Sequence, residues 1–343
     1  MKRIFTRWYL PLTLLVLFGI TLVISVRSNT DHPLLDAYLE LILIYIGINI
    51  ILTVSLNLVN GYMGEFSVGH AGFMAIGAYV AAVCTVQVFP REAGPYLFPL
   101  ALLLGGAAAG VAGLLLAFPS FRTRGDYLAI VTLAFNMIVR NGIENIDALG
   151  GPRGYLGIDK LTSLAWIFVF VVGTIYLARN FVYSNVGRGV LAIREDETAA
   201  GLVGVNTRQV KVLTFVFSAF LAGIAGGLFA HTLQFINPKS FTILKSTEML
   251  VMVYLGGVGS LGGSILGATI FTVVMEGLRS LLEWVNIGAE WRQVVMPLLL
   301  ILLMLFRPHG IMGMREFPFL VPLKERFLRR KGLLVEPSVG ELP

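Results

Sequence analysis

Residues 187–208 read GRGVLAIREDETAAGLVGVNTR, and they lie between two long apolar runs while carrying Arg188, Arg194, Glu195, Asp196, Glu197 and Arg208. An ionised side chain at a bilayer centre costs roughly 2.5–3.5 kcal/mol even on the lenient insertion scale, so six cost on the order of 15–20 kcal/mol. This stretch belongs in water. Its local signals predict two short helices instead of a loose loop. Residues 188–194 are rich in good helix formers, Asp196 is placed to cap a second helix through Ala199, Ala200 and Leu202, and Gly204 offers a left-handed stop. Asn206 then caps the following run, with Gln209 in the capping-box position. Small Ala and Gly residues between the charges let another surface approach closely, as a docking element requires.

The rest of the chain is unlike this polar island. Hydrophobic residues make up 56% of the 343 and charged ones only 13%, and the mean hydropathy is +0.81. Soluble domains of this length do not have that composition. Several runs reach or approach the ~20 residues that cross ~30 Å of hydrocarbon, and the need to satisfy the backbone in lipid makes them helices. The single cysteine, Cys84, forbids a disulfide within the chain and a thiolate metal cluster, and His32, His70, His231 and His309 are scattered. No metal or cofactor is expected. The net charge of +6 lies mainly in flanks and termini, where it speaks for orientation and anionic lipid and not for nucleic acid.

Taken in order, a basic start with Lys2, Arg3 and Arg7 precedes an apolar run at 8–26. Because Arg27, Ser28 and Asn29 make a poor cleavage site, this run is expected to be a retained span with its amino end in the cytoplasm. Further apolar runs occupy 34–59, 66–89, 96–118, 127–139, 164–183, 210–233, 249–255, 265–282 and 294–306. In the fourth, Gly106, Gly110 and Gly113 set small residues at helical spacing and predict close helix packing. The fifth is short and leads into Arg140 and Glu144, which are four apart and spaced to pair. Residues 256–263 interrupt another run with five glycines, a break of the kind found where transporters open helix ends to a pathway. Arg122, Arg124 and the basic stretch 324–331 mark cytoplasmic loops. The fold class expected is therefore all-α: a polytopic transmembrane helical bundle of about ten spans, or eight if the two glycine-broken segments only dip into the membrane. Both termini are cytoplasmic in this reading.

A second constellation runs from Leu56 to Tyr79, including Asn57, Gly61, Gly64, Ser67, Gly69, His70 and Gly77. Glycines free backbone groups here, while Ser67 and His70 offer donors and acceptors at the mouth of a helix. That chemistry suits a zwitterion, with helix N–H groups for a carboxylate and backbone carbonyls for an ammonium. The same glycines also serve as ordinary packing seams, so Ser67 and His70 either line a pathway or fix helix contacts. Glu248, Asn136 and Arg140 are polar residues near membrane depth, with helix-to-helix hydrogen bonding as the plain alternative. No Gly-Lys-Ser/Thr phosphate loop occurs, so any nucleotide energy must come from another polypeptide.

The pattern G-R-x-x-x-A-I-R-E-D-E-x-A-A-x-x-x-G-V-N resembles the cytoplasmic coupling loop of ABC-importer permeases, in the version of the branched-chain amino acid permease family and its longer M-type subunit. The stretch around residues 57–79 and the pair of Glu248 with residues 256–267 resemble that family's amino- and carboxy-terminal signatures. Arg122, Arg124 and Asp126 also match its pattern, as a brace for the dock or as topology-setting charge.

The resemblance implies residues 1–315 as a transmembrane permease domain with a coupling loop at 184–208, and 316–343 as a basic cytoplasmic tail. It implies ATPase coupling through Arg188, Gly189, Ala192, Arg194, Glu195, Asp196, Glu197, Ala199, Ala200 and Gly204. It implies a substrate pathway at Asn57, Gly64, Ser67, Gly69, His70, Glu248, Gly256 and Gly257. The implied partners are a second homologous permease subunit, two ATP-binding subunits and a soluble extracytoplasmic substrate-binding protein, in a bacterial inner membrane. The implied cargo is leucine, isoleucine or valine, with urea, short amides or other amino acids as the related alternative and an ATP-independent transporter or channel as the competing class. No catalysis is expected in this chain.

Overall fold

The computed structural model describes residues 16–25, 36–90, 94–121, 127–284, 291–306, 310–313, 315–318 and 320–321. The basic start, Arg122, Arg124, Asp126 and the stretch 324–331 lie outside the described residues. Twelve helices appear among those described: α1 (Val16–Ser25), α2 (Ala37–Asn57), α3 (His70–Val83), α4 (Gly94–Ser120), α5 (Tyr127–Glu144), α6 (Leu164–Val182), α7 (Asn185–Glu195), α8 (Glu197–Leu202), α9 (Thr207–Leu233), α10 (Ile243–Gly256), α11 (Leu261–Trp284) and α12 (Trp291–Phe306). Extended pairing among the described residues is a single antiparallel bridge between Tyr155 and Ile236. The protein is an all-helical, multi-pass membrane bundle.

Six of these helical stretches are long and apolar enough to cross a membrane unaided: Ala37–Tyr62, His70–Val88, Gly94–Ser120, Leu164–Val182, Thr207–Leu233 and Leu261–Arg279. Two of them lengthen through a π turn, Leu58–Tyr62 after α2 and Cys84–Val88 after α3. The third apolar run begins helix only at His70, because Gly64 takes a positive φ of 76° and the chain stays irregular through Gly69. Helices α10 and α12, at 14 and 16 residues, fall short of that length.

Helices α2 and α9 are the most enclosed, whereas α6 is mostly exposed on the outside. Since lipid tails are as apolar as leucine, helices here associate by contact and not by escape from water. Helices α3, α4 and α9 therefore meet backbone to backbone through glycine. A Cβ on Gly77 would overlap the Gly223 backbone, one on Gly226 would overlap the Met74 carbonyl, and one on Gly113 would lie 2.7 Å from Ala219 Cβ. The spacing of Gly106, Gly110 and Gly113 thus points at α9. Helices α10 and α11 repeat the device, with a Cβ on Gly256 overlapping the Gly263 carbonyl.

Candidate functional site

The polar island is built as three caps in series. Ser184 begins α7, its Oγ accepting from the Gly187 N–H at 3.1 Å. Asp196 is extended, ending α7 and capping α8 as its Oδ1 accepts from Thr198 N at 2.8 Å and Ala199 N at 2.9 Å. Gly204 closes α8 at φ 90°, and Asn206 opens α9 by accepting from Gln209 N at 3.2 Å. Gly189 and Ala200 are buried, Gly189 toward Val205 and Val210, while Ala192 is half-buried. Arg188, Glu195, Asp196, Glu197, Ala199 and Gly204 are exposed. At the tip, Leu202 and Val203 are 86% and 79% exposed, so two large apolar side chains stand in the most polar part of the chain.

Two cations tie the island to the membrane helices. Arg194 runs back to the π turn, its Nη1 donating to the Gly61 carbonyl at 3.4 Å and its Nη2 to Glu195 Oε1 at 2.8 Å. It fits only because its neighbours lack side chains: a Cβ on Gly64 would lie 2.8 Å from its Cγ and one on Gly259 would lie 3.0 Å from its Nη1. Lys211, in the first turns of α9 and almost fully buried, donates to Glu65 at 2.6 Å and to Glu197 at 2.8 Å. Glu65 sits in the irregular stretch before α3, so one ammonium joins α8, α9 and that stretch.

The glycine break between α10 and α11 lies beside this junction. Asn57 is fully buried and spends its amide there: Nδ2 donates to the Ser260 carbonyl at 2.9 Å and to Ser264 Oγ at 2.7 Å, and Oδ1 accepts from Gly259 N at 2.9 Å. Glu316 caps α11 by accepting from the N–H groups of Leu261 and of Gly262, the latter at 3.1 Å, and also from the Tyr62 hydroxyl at 2.9 Å. Burial pushes the Glu316 carboxyl above its ordinary range, against the opposing pull of those three donors. Gly256 packs on Gly263, and a Cβ on Gly257, at φ 132°, would sit 2.7 Å from the Gly313 carbonyl. Asn57, Gly256 and Gly257 therefore serve the packing of the break.

At the mouth of α3, Asn60 Oδ1 accepts from Ser67 N at 3.2 Å and Thr132 Oγ1 accepts from Val68 N at 3.1 Å. Gly69 presses on the Thr132 backbone. His70 Nε2 lies 3.0 Å from Ser218 Oγ, and Ser218 in turn reaches the Ser55 carbonyl. The helix-end N–H groups expected to receive a carboxylate are already engaged: Ala71 N donates to Ser246 Oγ at 3.1 Å and Gly72 N to the Gly69 carbonyl at 3.0 Å. Ser67 Oγ, His70 Nδ1 and Asn136 Oδ1 are buried without a hydrogen-bond partner. Arg140 does not pair with Glu144, and its Nε is likewise buried and unpartnered. Glu248 stands apart from these residues, near the start of α10, and pairs with Lys245 at 2.6 Å.

The structure thus brings Arg194 and Glu197, expected in the coupling loop, together with Gly64 and Asn57, expected in the pathway, at one junction, and leaves Glu248 elsewhere. The sequence reading missed Lys211, Glu65 and Glu316. A lysine at the second position of the apolar run 210–233 was the available signal for the first, because a buried ammonium demands carboxylate partners.

Residues 38–304 match the family model described as branched-chain amino acid transport system, permease component. The chain is 34% identical over 302 residues to the high-affinity branched-chain amino acid transport system permease protein LivM of Escherichia coli K12, covering 78% of this chain and 68% of that protein. It is 33% identical over 159 residues to the LivH permease protein of the same organism, covering 46% and 49%. Against BraD of Pseudomonas aeruginosa, named as a permease protein of the same kind of system, identity is 25% over 291 residues, covering 78% and 92%. No solved structure matches.

Proposed function

The chain belongs to the branched-chain amino acid transport permease family, and on that premise we propose that it is a transmembrane permease subunit of a binding-protein-dependent ABC importer for leucine, isoleucine and valine. ATP hydrolysis takes place on separate subunits, and this chain performs no bond chemistry. The observation that carries the docking part of this reading is the exposed Leu202–Val203 tip on a capped polar island. Burying one such side chain stabilises a contact by roughly 1.5–3 kcal/mol, so two exposed together mark a surface meant to be covered. The occupant is an ATP-binding subunit. A second permease of the same family, as LivH is beside LivM by name, completes the membrane pair, and a soluble extracytoplasmic protein delivers the amino acid.

About ten spans follow if the run at 8–26, α5, α10 and α12 are counted with the six long stretches. With the amino end cytoplasmic, as the basic flanks favour, that even count keeps both termini and the island on the cytoplasmic side of a bacterial inner membrane. Closure of the ATPase pair then pushes on α7 and α8. Arg194 carries the push to Gly61 and Gly259, and Lys211 carries it to Glu65, so the glycine break and the mouth of α3 move together. In the pathway reading, Gly64, Ser67, Gly69 and His70 form the moving mouth, and the orphan Ser67 Oγ and His70 Nδ1 support it.

Leu202→Asp and Val203→Asp test the dock without touching any intramolecular hydrogen bond named above. Each variant is expected to insert normally, to lose ATPase-subunit co-purification by at least tenfold and to abolish leucine uptake. Undiminished co-purification from both variants contradicts the dock.

A further inference from the structure

The glycine break between α10 and α11 is closed by a strap from far along the chain, whose described residues are 310–313, 315–318 and 320–321. Helix α10 ends at Gly256, and two of its last carbonyls accept from the strap: Leu255 from Ile311 N at 2.9 Å and Gly256 from Met312 N at 3.0 Å. Glycine permits the approach, since a Cβ on Gly310 would lie 2.7 Å from Gly257 N. Across the break, α11 opens with N–H groups that lack partners inside the helix. Ser260 accepts from Gly263 N at 2.9 Å, as a local cap does, while the N–H groups of Leu261 and Gly262 go to Glu316. The Ser260 hydroxyl in turn donates to the Arg315 carbonyl at 2.8 Å. The strap then continues past Phe317, which packs on Gly262, to the buried Leu320, whose carbonyl accepts from Arg179 Nε at 2.5 Å.

We propose that Glu316 is a positioning residue for the transport step, and that through it the strap makes the break move with α6 and the coupling helix α7. The inference rests on the permease reading and adds a second mechanical route to it. A side-chain cap ordinarily acts over two or three residues, whereas Glu316 reaches back 55 and 54 residues to the start of α11. It therefore fixes α11 to whatever holds the strap. That holder is α6: Arg179 lies in its last turn, just before Ser184 begins α7. Near the other end of α7, Arg194 meets Gly61 and Gly259 at the rim of the same break. A push on α7 thus reaches the break from both ends of that helix. The Glu316 carboxylate makes no ion pair among the described residues, and the positive end of the 24-residue α11 answers its charge. The Tyr62 hydroxyl donates to the same carboxylate at 2.9 Å, so one side chain gathers the π turn after α2, the start of α11 and the strap.

The test uses the whole complex, with its ATP-binding subunits, in proteoliposomes supplied with radiolabelled leucine on the binding protein, and reads leucine imported per ATP hydrolysed. Glu316→Ala and Arg179→Gln are each expected to lower that ratio at least fivefold, and Glu316→Gln, which keeps one acceptor, to retain at least half of it. Because both losses cut one route, the double variant Arg179→Gln/Glu316→Ala is expected to fall no more than about twofold below the more impaired single. A merely structural cap would lower the yield of assembled complex and leave the ratio unchanged in the complexes that form. That result overturns the proposal, as does a double variant whose loss is the product of the two single losses. Should Glu316→Ala fail to assemble, Tyr62→Phe, which removes one donor to the carboxylate, takes its place in the same cycle, and the same two results decide. Variants that import at the parent's ratio overturn this inference and leave the permease reading standing. A parent complex that imports no leucine overturns both.

Discussion

Lys211 is where island and bundle are joined by a single side chain. Its ammonium is nearly sealed from water and holds Glu65 and Glu197 together. Removing it leaves the Glu65 carboxylate, with a side chain only 23% exposed, lacking its counter-charge, a loss of about 1–3 kcal/mol. Lys211→Met is therefore expected to let the complex assemble and hydrolyse ATP while leucine uptake falls about tenfold, with Lys211→Arg recovering part of it. Uptake measured beside ATP hydrolysis in proteoliposomes checks this, and an unchanged ratio of the two counts against the linkage. At this scale the sequence was partly legible. Asp196 and Asn206 showed themselves as caps because capping is local, acting over two or three residues. The membrane-side partners, Glu65 of Lys211 and Gly61 of Arg194, lie 146 and 133 residues away, and no local pattern announces them.

Among elements, the seam of α3 with α9 decides whether the bundle closes. Gly226 faces the Met74 carbonyl and lies so close to Ala78 N that a Cβ would stand 2.9 Å from it, and neither backbone group can turn aside. Overpacking costs typically about 1–3 kcal/mol, and more where the obstacle is main chain. Gly226→Leu is expected to abolish a monodisperse, thermally stable complex in detergent. Gly173→Leu, on α6 where nothing lies within 4 Å, is expected to leave the melting curve within a few degrees of the parent. Equal melting of the two variants would remove the seam from the account. Glycine spacing foretold the small-residue face of α4, and the break at residues 256–263 was visible as an interruption of apolar sequence. The late start of α3 was not, since residues 66–69 are as apolar and small as the helix that follows. Tertiary hydrogen bonds from Asn60 and Thr132 hold that stretch open. The mouth of α3 likewise looked fit for a carboxylate until Ser246, far along the chain, was found on the Ala71 N–H.

For the whole molecule, composition alone gave the membrane and the helices, because lipid leaves the backbone few other choices. The number of spans was harder to read: six described stretches qualify by length and composition together, while α5 carries Arg140 and Glu144 in its 18 residues and α10 ends at Gly256 after 14. The account depends on the island lying in the cytoplasm. Cys84 is the only cysteine, so a Cys84→Ala background carrying Leu202→Cys gives one reactive position. A membrane-impermeant maleimide, applied to right-side-out and to inverted vesicles, reports on which side that thiol stands. The account predicts labelling in inverted vesicles alone, and protection when the ATP-binding subunits are co-expressed; labelling in right-side-out vesicles would contradict it.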